Sequence, residues 1–96
     1  MTLPHDATEG LASRLTIVLR AMVEALVSNP GAVVVQGHCM HHRIVLELET
    51  DPVDVGLVVG RHGAVVTAIR TILSAVGGRS RVEVNLDYTT DRVSRG

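Results

Sequence analysis

Aromatic residues are almost missing from this 96-residue chain: Tyr88 is the only one, with no Phe and no Trp. Their absence excludes designs that read single strands by stacking bases on surface aromatics, the RNA-recognition motif and most OB-folds. The core is left to Val, Ile, Leu, Ala and Met. Lysine is missing too. All nine basic residues are Arg, against ten acidic ones, and the formal net charge is -1. With no polybasic stretch, bulk electrostatics does not hold nucleic acid strongly, so any such contact must come from local geometry and a few Arg. Cys39 is the single cysteine, which rules out an intrachain disulfide and fits a reducing compartment. No apolar run approaches the roughly 20 residues of a membrane span. The first ten residues carry Asp6 and Glu9 and lack the apolar centre of a secretory signal. A cytoplasmic protein without a membrane span is expected.

What is present reads as one small α+β domain. Apolar residues make up 46% of the chain, enough to drive folding of a single domain whose modest core gains from a partner. Residues 1–8 read as a loose tail, 9–88 as the domain and 89–96 as a second tail. Leu11, Leu15, Val18, Leu19, Met22, Val23 and Leu26 recur at steps of three and four, which predicts a helix over about 8–27. Asn29-Pro30-Gly31 stops it. Residues 32–36 are Val-rich and predict a short strand, and the polar stretch 37–42 predicts a turn. Ile44, Leu46 and Leu48 alternate with Arg43, Val45, Glu47 and Glu49, the period of a half-buried strand. Thr50-Asp51-Pro52 is a helix-start signal. A brief helix then carries Val55, Val58 and Val59 inward. A further helix over 63–76 buries Val65, Val66, Ile69, Ile72, Leu73 and Val76, and Gly77-Gly78 ends it. Val82, Val84 and Leu86 alternate in a last strand. A strand, a helical crossover and a strand predict a parallel pair. The expected architecture is α-β-β-α-α-β, a three-stranded mixed sheet with helices packed on one face.

Between the last two helices stands Gly60-Arg61-His62-Gly63, preceded by Val58-Val59 and followed by Val66. Glycines permit backbone angles closed to other residues and let a ligand backbone come close. A helix begins at the turn, so amides point out at its positive end, an arrangement that favours phosphate. Arg61 adds a permanent charge and His62 a donor.

This segment resembles the signature of the KH domain, Val/Ile-Ile-Gly-x-x-Gly-x-x-Ile, with Val59 and Val66 in place of two isoleucines. The element order resembles the bacterial, type II arrangement. The small size, the Asp54-x-Gly56-x-Val58 lead-in and the run Ala68-Ile69-Arg70-Thr71-Ile72-Leu73 resemble the single-KH KhpA family over roughly 11–86. The resemblance implies binding of single-stranded RNA, without catalysis or cofactor. A Gly-x-x-Gly loop of this kind clamps about four backbone nucleotides. The implied RNA-binding residues are Gly60, Arg61, His62, Gly63, Val58, Val59, Val66 and Arg70, with Ile44 and Leu46 as further lining if their strand faces the groove. It also implies a homodimer, or a heterodimer with a larger KhpB-like KH protein, and a role in post-transcriptional control, RNA chaperoning or cell-envelope growth. The chain departs from the pattern in carrying His62 where Gln is common.

Other readings stand beside this one. The turn is also what a plain helix-helix connection looks like. Arg70 is equally a salt-bridging surface residue, and Arg79 and Arg81, which follow the helix within reach of a phosphate, are more simply read as solvated. The fold also serves as a protein-interaction module with little RNA binding. His38, Cys39, His41 and His42 are ligand types for zinc or copper, but their spacing matches no standard zinc pattern. Asp51 and Asp54 are read as helix caps, and no nucleophile partners them.

Overall fold

An apolar residue at every fourth position builds the first helix. Leu11, Leu15, Leu19 and Val23 form a single buried row along α1 (His5–Leu26), and Ala12 widens it. Val18 and Leu26, read as part of that stripe, are instead exposed, because the row steps by four and they lie to its side. The structure, a computed structural model, describes residues 5–88. α1 begins at His5, inside the segment read as a tail, and Thr8 is buried. The tail readings for residues 1–4 and 89–96 lie outside the described residues.

After a 3-10 turn at Pro30–Ala32 come β1 (Val34–Met40) and β2 (Arg43–Glu49). They pair antiparallel, from Val34 opposite Glu49 to Met40 opposite Arg43, leaving His41-His42 as a two-residue turn. The strand is therefore later and longer than residues 32–36. The polar stretch that suggested a turn is strand, because Gln36 and His38 alternate onto the outer, solvated face of the sheet. A second 3-10 turn, Pro52–Asp54, leads into α2 (Val55–Val59). The turn Arg61–Gly63 joins α2 to α3 (Ala64–Arg79), and β3 (Glu83–Tyr88) closes the chain.

β3 pairs parallel with β2, from Arg43 opposite Glu83 to Leu48 opposite Tyr88, and the sheet order is β1-β2-β3. The expected α-β-β-α-α-β order and mixed three-stranded sheet hold. One face carries the core: Val35 from β1, Ile44, Leu46 and Leu48 from β2, Val84 and Leu86 from β3. α1 packs over β1 and α3 over β3, so both outer strands lie under a helix. α3 buries Val66, Ile69 and Leu73, while Ile72, read as inner, is 47% exposed on its flank.

α3 runs through Gly77-Gly78 rather than stopping there. Gly77 is buried inside the helix because the returning chain leaves no room for a side chain. A methyl built there lies 2.4 Å from the Val82 carbonyl oxygen. The amides of Ser80 and Val82 both bond to the Gly77 carbonyl, at 3.0 and 2.9 Å, and Arg81 takes a left-handed φ of 57° to turn the chain into β3.

Candidate nucleic-acid interface

The helical pair around the turn is fixed at its base by two carboxylates. Asp51 behaves as read: its Oδ1 accepts from the Val53 amide at 3.0 Å, beside Pro52 in the first turn. Asp54 does not cap its own helix. It is fully buried and accepts from the Ser28 hydroxyl at 2.7 Å, the Ser28 amide at 3.0 Å and the Asn29 amide at 3.1 Å. The Ser28 hydroxyl, then the Ser28 amide, hold its carboxyl below the usual range, with the Asn29 amide adding to this and burial opposing it. The start of α2 is thereby tied to the exit of α1. Nothing near Asp54 in the chain signals this bond, since its partners are 25 and 26 residues away.

α2 is closed by the Gly60 amide, which donates to the Gly56 carbonyl at 2.9 Å. Gly60 then takes φ 77° and ψ 171°, a conformation open essentially to glycine alone. A side chain is barred a second time by packing, because a methyl there lies 2.4 Å from Val65 Cγ2. His62 (φ 56°) and Gly63 (φ 75°) are both left-handed. The Gly63 amide bonds to the Gly60 carbonyl at 3.1 Å and the Ala64 amide to the Arg61 carbonyl. Two of the amides expected to point out are thus spent inside the turn. No hydrogen-bonded turn encloses Gly60, so the Arg61 and His62 amides make no bond back to α2. Their side chains are exposed, and Arg61 has no ion-pair partner among the described residues. No side chain caps α3, and its first turn holds no acidic residue. The result is an exposed bend with amide donors not bonded to α2, one unpaired guanidinium and the positive end of a 16-residue helix. Such a bend is suited to a phosphate-bearing backbone.

The structure brings Gly60, Arg61, His62 and Gly63 together at this bend, with Val59 half-buried at its α2 side. Arg70 is exposed two turns further along α3. Val58 is not groove lining: it is 0% exposed in the core, since it is the residue by which α2 is anchored. Val66 is also counted in the core, at 8% exposed. Ile44 and Leu46 are 0% exposed, because β2 is the central strand and they face the helices.

The histidine and cysteine cluster is dispersed by the strand pleat. His38 points outward, its Nε2 2.7 Å from Glu47 Oε1. Cys39 points inward, its thiol donating to the Thr8 carbonyl, and burial followed by the charge of Glu9 pushes that thiol up, away from the reactive thiolate. His41 and His42 occupy the turn. Among the described residues no three His, Cys, Asp or Glu side chains are placed to hold a metal ion. No single helix among the described residues is long and apolar enough to cross a membrane.

Comparison with known proteins gives one consistent result. Residues 17–87 match the family described as KhpA/KhpB, KH domain. The chain is 40% identical over 72 residues to an RNA-binding protein KhpA of Streptomyces coelicolor, covering 73% of this chain and 91% of that protein. It is 36% identical over 67 residues to an RNA-binding protein KhpA of Caldanaerobacter subterraneus subsp. tengcongensis, covering 70% and 89%. It is 38% identical over 64 residues to that of Mycobacterium tuberculosis, covering 66% and 80%. No solved structure matches the chain significantly.

Proposed function

Because this chain belongs to the KhpA/KhpB KH-domain family, we propose that it binds single-stranded RNA through the bend Gly60-Arg61-His62-Gly63. The observation that carries the reading is the pair of amides at Arg61 and His62 that make no bond back to α2, displayed on an exposed kink beside an unpaired guanidinium. Backbone donors and Arg61 hold phosphates and sugars, and the bases turn toward the aliphatic surface near Val59. Val66 contributes its small exposed edge, and Arg70 extends the contact along α3. The work is binding without turnover. Phosphate contact is read by amides and charge rather than by base edges, so sequence selectivity is low. One bend makes few contacts, so affinity is modest and falls with salt. A second KH unit, from another copy or from a KhpB-like protein, raises it through effective concentration. In that setting the protein acts in the cytoplasm as a post-transcriptional regulator or RNA chaperone.

The test is titration of a labelled single-stranded RNA with wild type and with Arg61→Asp/His62→Asp. Both positions are exposed, so thermal stability stays within a few degrees of wild type while RNA binding is lost. A doubly substituted protein that still binds as wild type does, with the same salt dependence, overturns the reading.

A second reading has its own observation. Val53 is 77% and Leu57 51% exposed, four residues apart at the α2 side of the bend. Apolar side chains so placed favour a protein partner over RNA. Under that reading Leu57→Asp abolishes a concentration-dependent dimer or a heterodimer, and RNA titrations show no binding even to wild type.

A further inference from the structure

Three residues other than glycine take a left-handed backbone among the described residues, and all three are basic in type: His41 (φ 41°), His62 (φ 56°) and Arg81 (φ 57°). His62 belongs to the bend already described. His41 and Arg81 come together at the other end of α3. They line one cleft of about 480 Å³ with Met40, His42, Arg43 and Glu83. The cleft lies where the β1–β2 turn meets the chain entering β3, and the Glu83 amide joins the two by donating to the His42 carbonyl at 2.8 Å.

Each of these turns is one that glycine would make without strain, yet each carries a cationic or imidazole side chain. The one carboxylate of the cleft is occupied. Glu83 Oε2 accepts from Arg43 Nε at 2.9 Å and from Asn85 Nδ2 at 2.9 Å. Arg81 is exposed and has no ion-pair partner among the described residues, and Arg79 ends α3 two residues earlier. Among the described residues the cleft therefore presents one paired and one unpaired guanidinium and two imidazoles, with Met40 its one apolar residue, in a recess wide enough for a stretch of sugar-phosphate backbone.

The geometry points to a second phosphate site: the cleft between the His41-His42 turn and Arg81 takes phosphates of an RNA strand that runs past the bend. The inference rests on the RNA reading above. Arg81 and Arg43 supply fixed charge, and the imidazoles of His41 and His42 supply donors. α3 separates the two ends by about 24 Å, 16 residues at ~1.5 Å each. At the ~3.4 Å per nucleotide of a stacked strand, about seven nucleotides span that distance. The bend itself holds about four. RNA of about 16 nucleotides reaches both ends, whereas one of about five fills the bend alone.

The decisive variant is His41→Gly/Arg81→Gly. Glycine suits both backbone conformations, so the melting temperature is unchanged or raised, and a folding defect cannot imitate the result. Binding of the short RNA stays at wild-type strength. Binding of the long RNA weakens, and its log-log salt slope becomes shallower by about 0.7 per phosphate released. Equal long-RNA affinity and slope in variant and wild type overturn the second site, while Arg61→Asp/His62→Asp still separately reports on the bend. Perturbation of the Arg81 and His41 amide resonances by inorganic phosphate, with no difference between the two RNA lengths, also overturns it, since the cleft then takes a free anion. If wild type binds neither RNA, both readings fall together.

Discussion

The carboxylate of Asp54 holds Ser28 twice, by its hydroxyl at 2.7 Å and its amide at 3.0 Å, across 26 residues of sequence. This is the bond that sets the entry to α2 against the end of α1, and so the position from which the glycine bend projects. Its carboxyl is held low chiefly by the Ser28 hydroxyl. A depressed carboxyl contributes stability that is present above the unfolded value of about 3.9 and is lost as pH falls through the folded value. Asp54→Asn therefore lowers stability at neutral pH and flattens the fall in stability below about pH 4. Urea unfolding midpoints across that range check it. A variant with the wild-type acid slope would remove Ser28 from the account.

The two glycines of the bend are not equivalent. Gly60→Ala forces a methyl to within 2.4 Å of Val65 Cγ2 in a conformation closed to alanine. The expected cost is about 2–4 kcal/mol, or a fall of roughly 10–20 °C in melting temperature. Gly63→Ala keeps a left-handed φ but meets nothing closer than Thr67 Oγ1 at 4.0 Å, and costs only about 1–2 kcal/mol. Thermal melts of the two variants side by side check the order.

Adjacent glycines in α3 respond with opposite sign. Gly78 faces open space, so Gly78→Ala stabilises by about 0.5–1 kcal/mol through helix propensity. Gly77→Ala has the same propensity gain but drives a methyl into the Val82 carbonyl and Val84 Cγ2, at 2.4 and 2.5 Å. The net effect is a loss of about 1–3 kcal/mol. Denaturant midpoints distinguish the two, and equal shifts would mean that β3 does not return against α3 as described.

Tyr88, the one aromatic, reports on the end of β3. Its hydroxyl is hydrogen-bonded to Thr50 Oγ1. Burial first, with the charge of Asp54 adding to it, raises the phenol above its ordinary value, against the Thr50 bond. Because the neutral form is favoured in the fold, that stability is complete below the unfolded value of about 10 and is lost as pH rises through the folded one. The phenolate band therefore appears at higher pH in native protein than in urea, and Tyr88→Phe costs about 1 kcal/mol.

Periodicity and turn chemistry in the sequence by themselves determine much of this protein. The recurrence at three and four residues from Leu11 to Leu26, the alternation about Ile44, Leu46 and Leu48, and the glycine bend at 60–63 are local patterns, and local sterics suffice to read a helix, a strand and a turn from them. The tertiary structure alone decided which apolar residues were spent on the core. Val58, which the family resemblance implies as groove lining, and Ile44, implied only if its strand faces the groove, are fully buried, whereas Ile72, read as core, is exposed, because a helix or strand shows which residues share a face but not how wide the neighbouring contact is. It also carried α3 through Gly77, turned 37–40 into strand, made Asp54 a tether rather than a cap, and set His41 beside Arg81. The Asp54 tether and the meeting of His41 with Arg81 depend on segments distant in the chain, and the other two on a segment that returns close by, β2 against 37–40 and Val82 against Gly77.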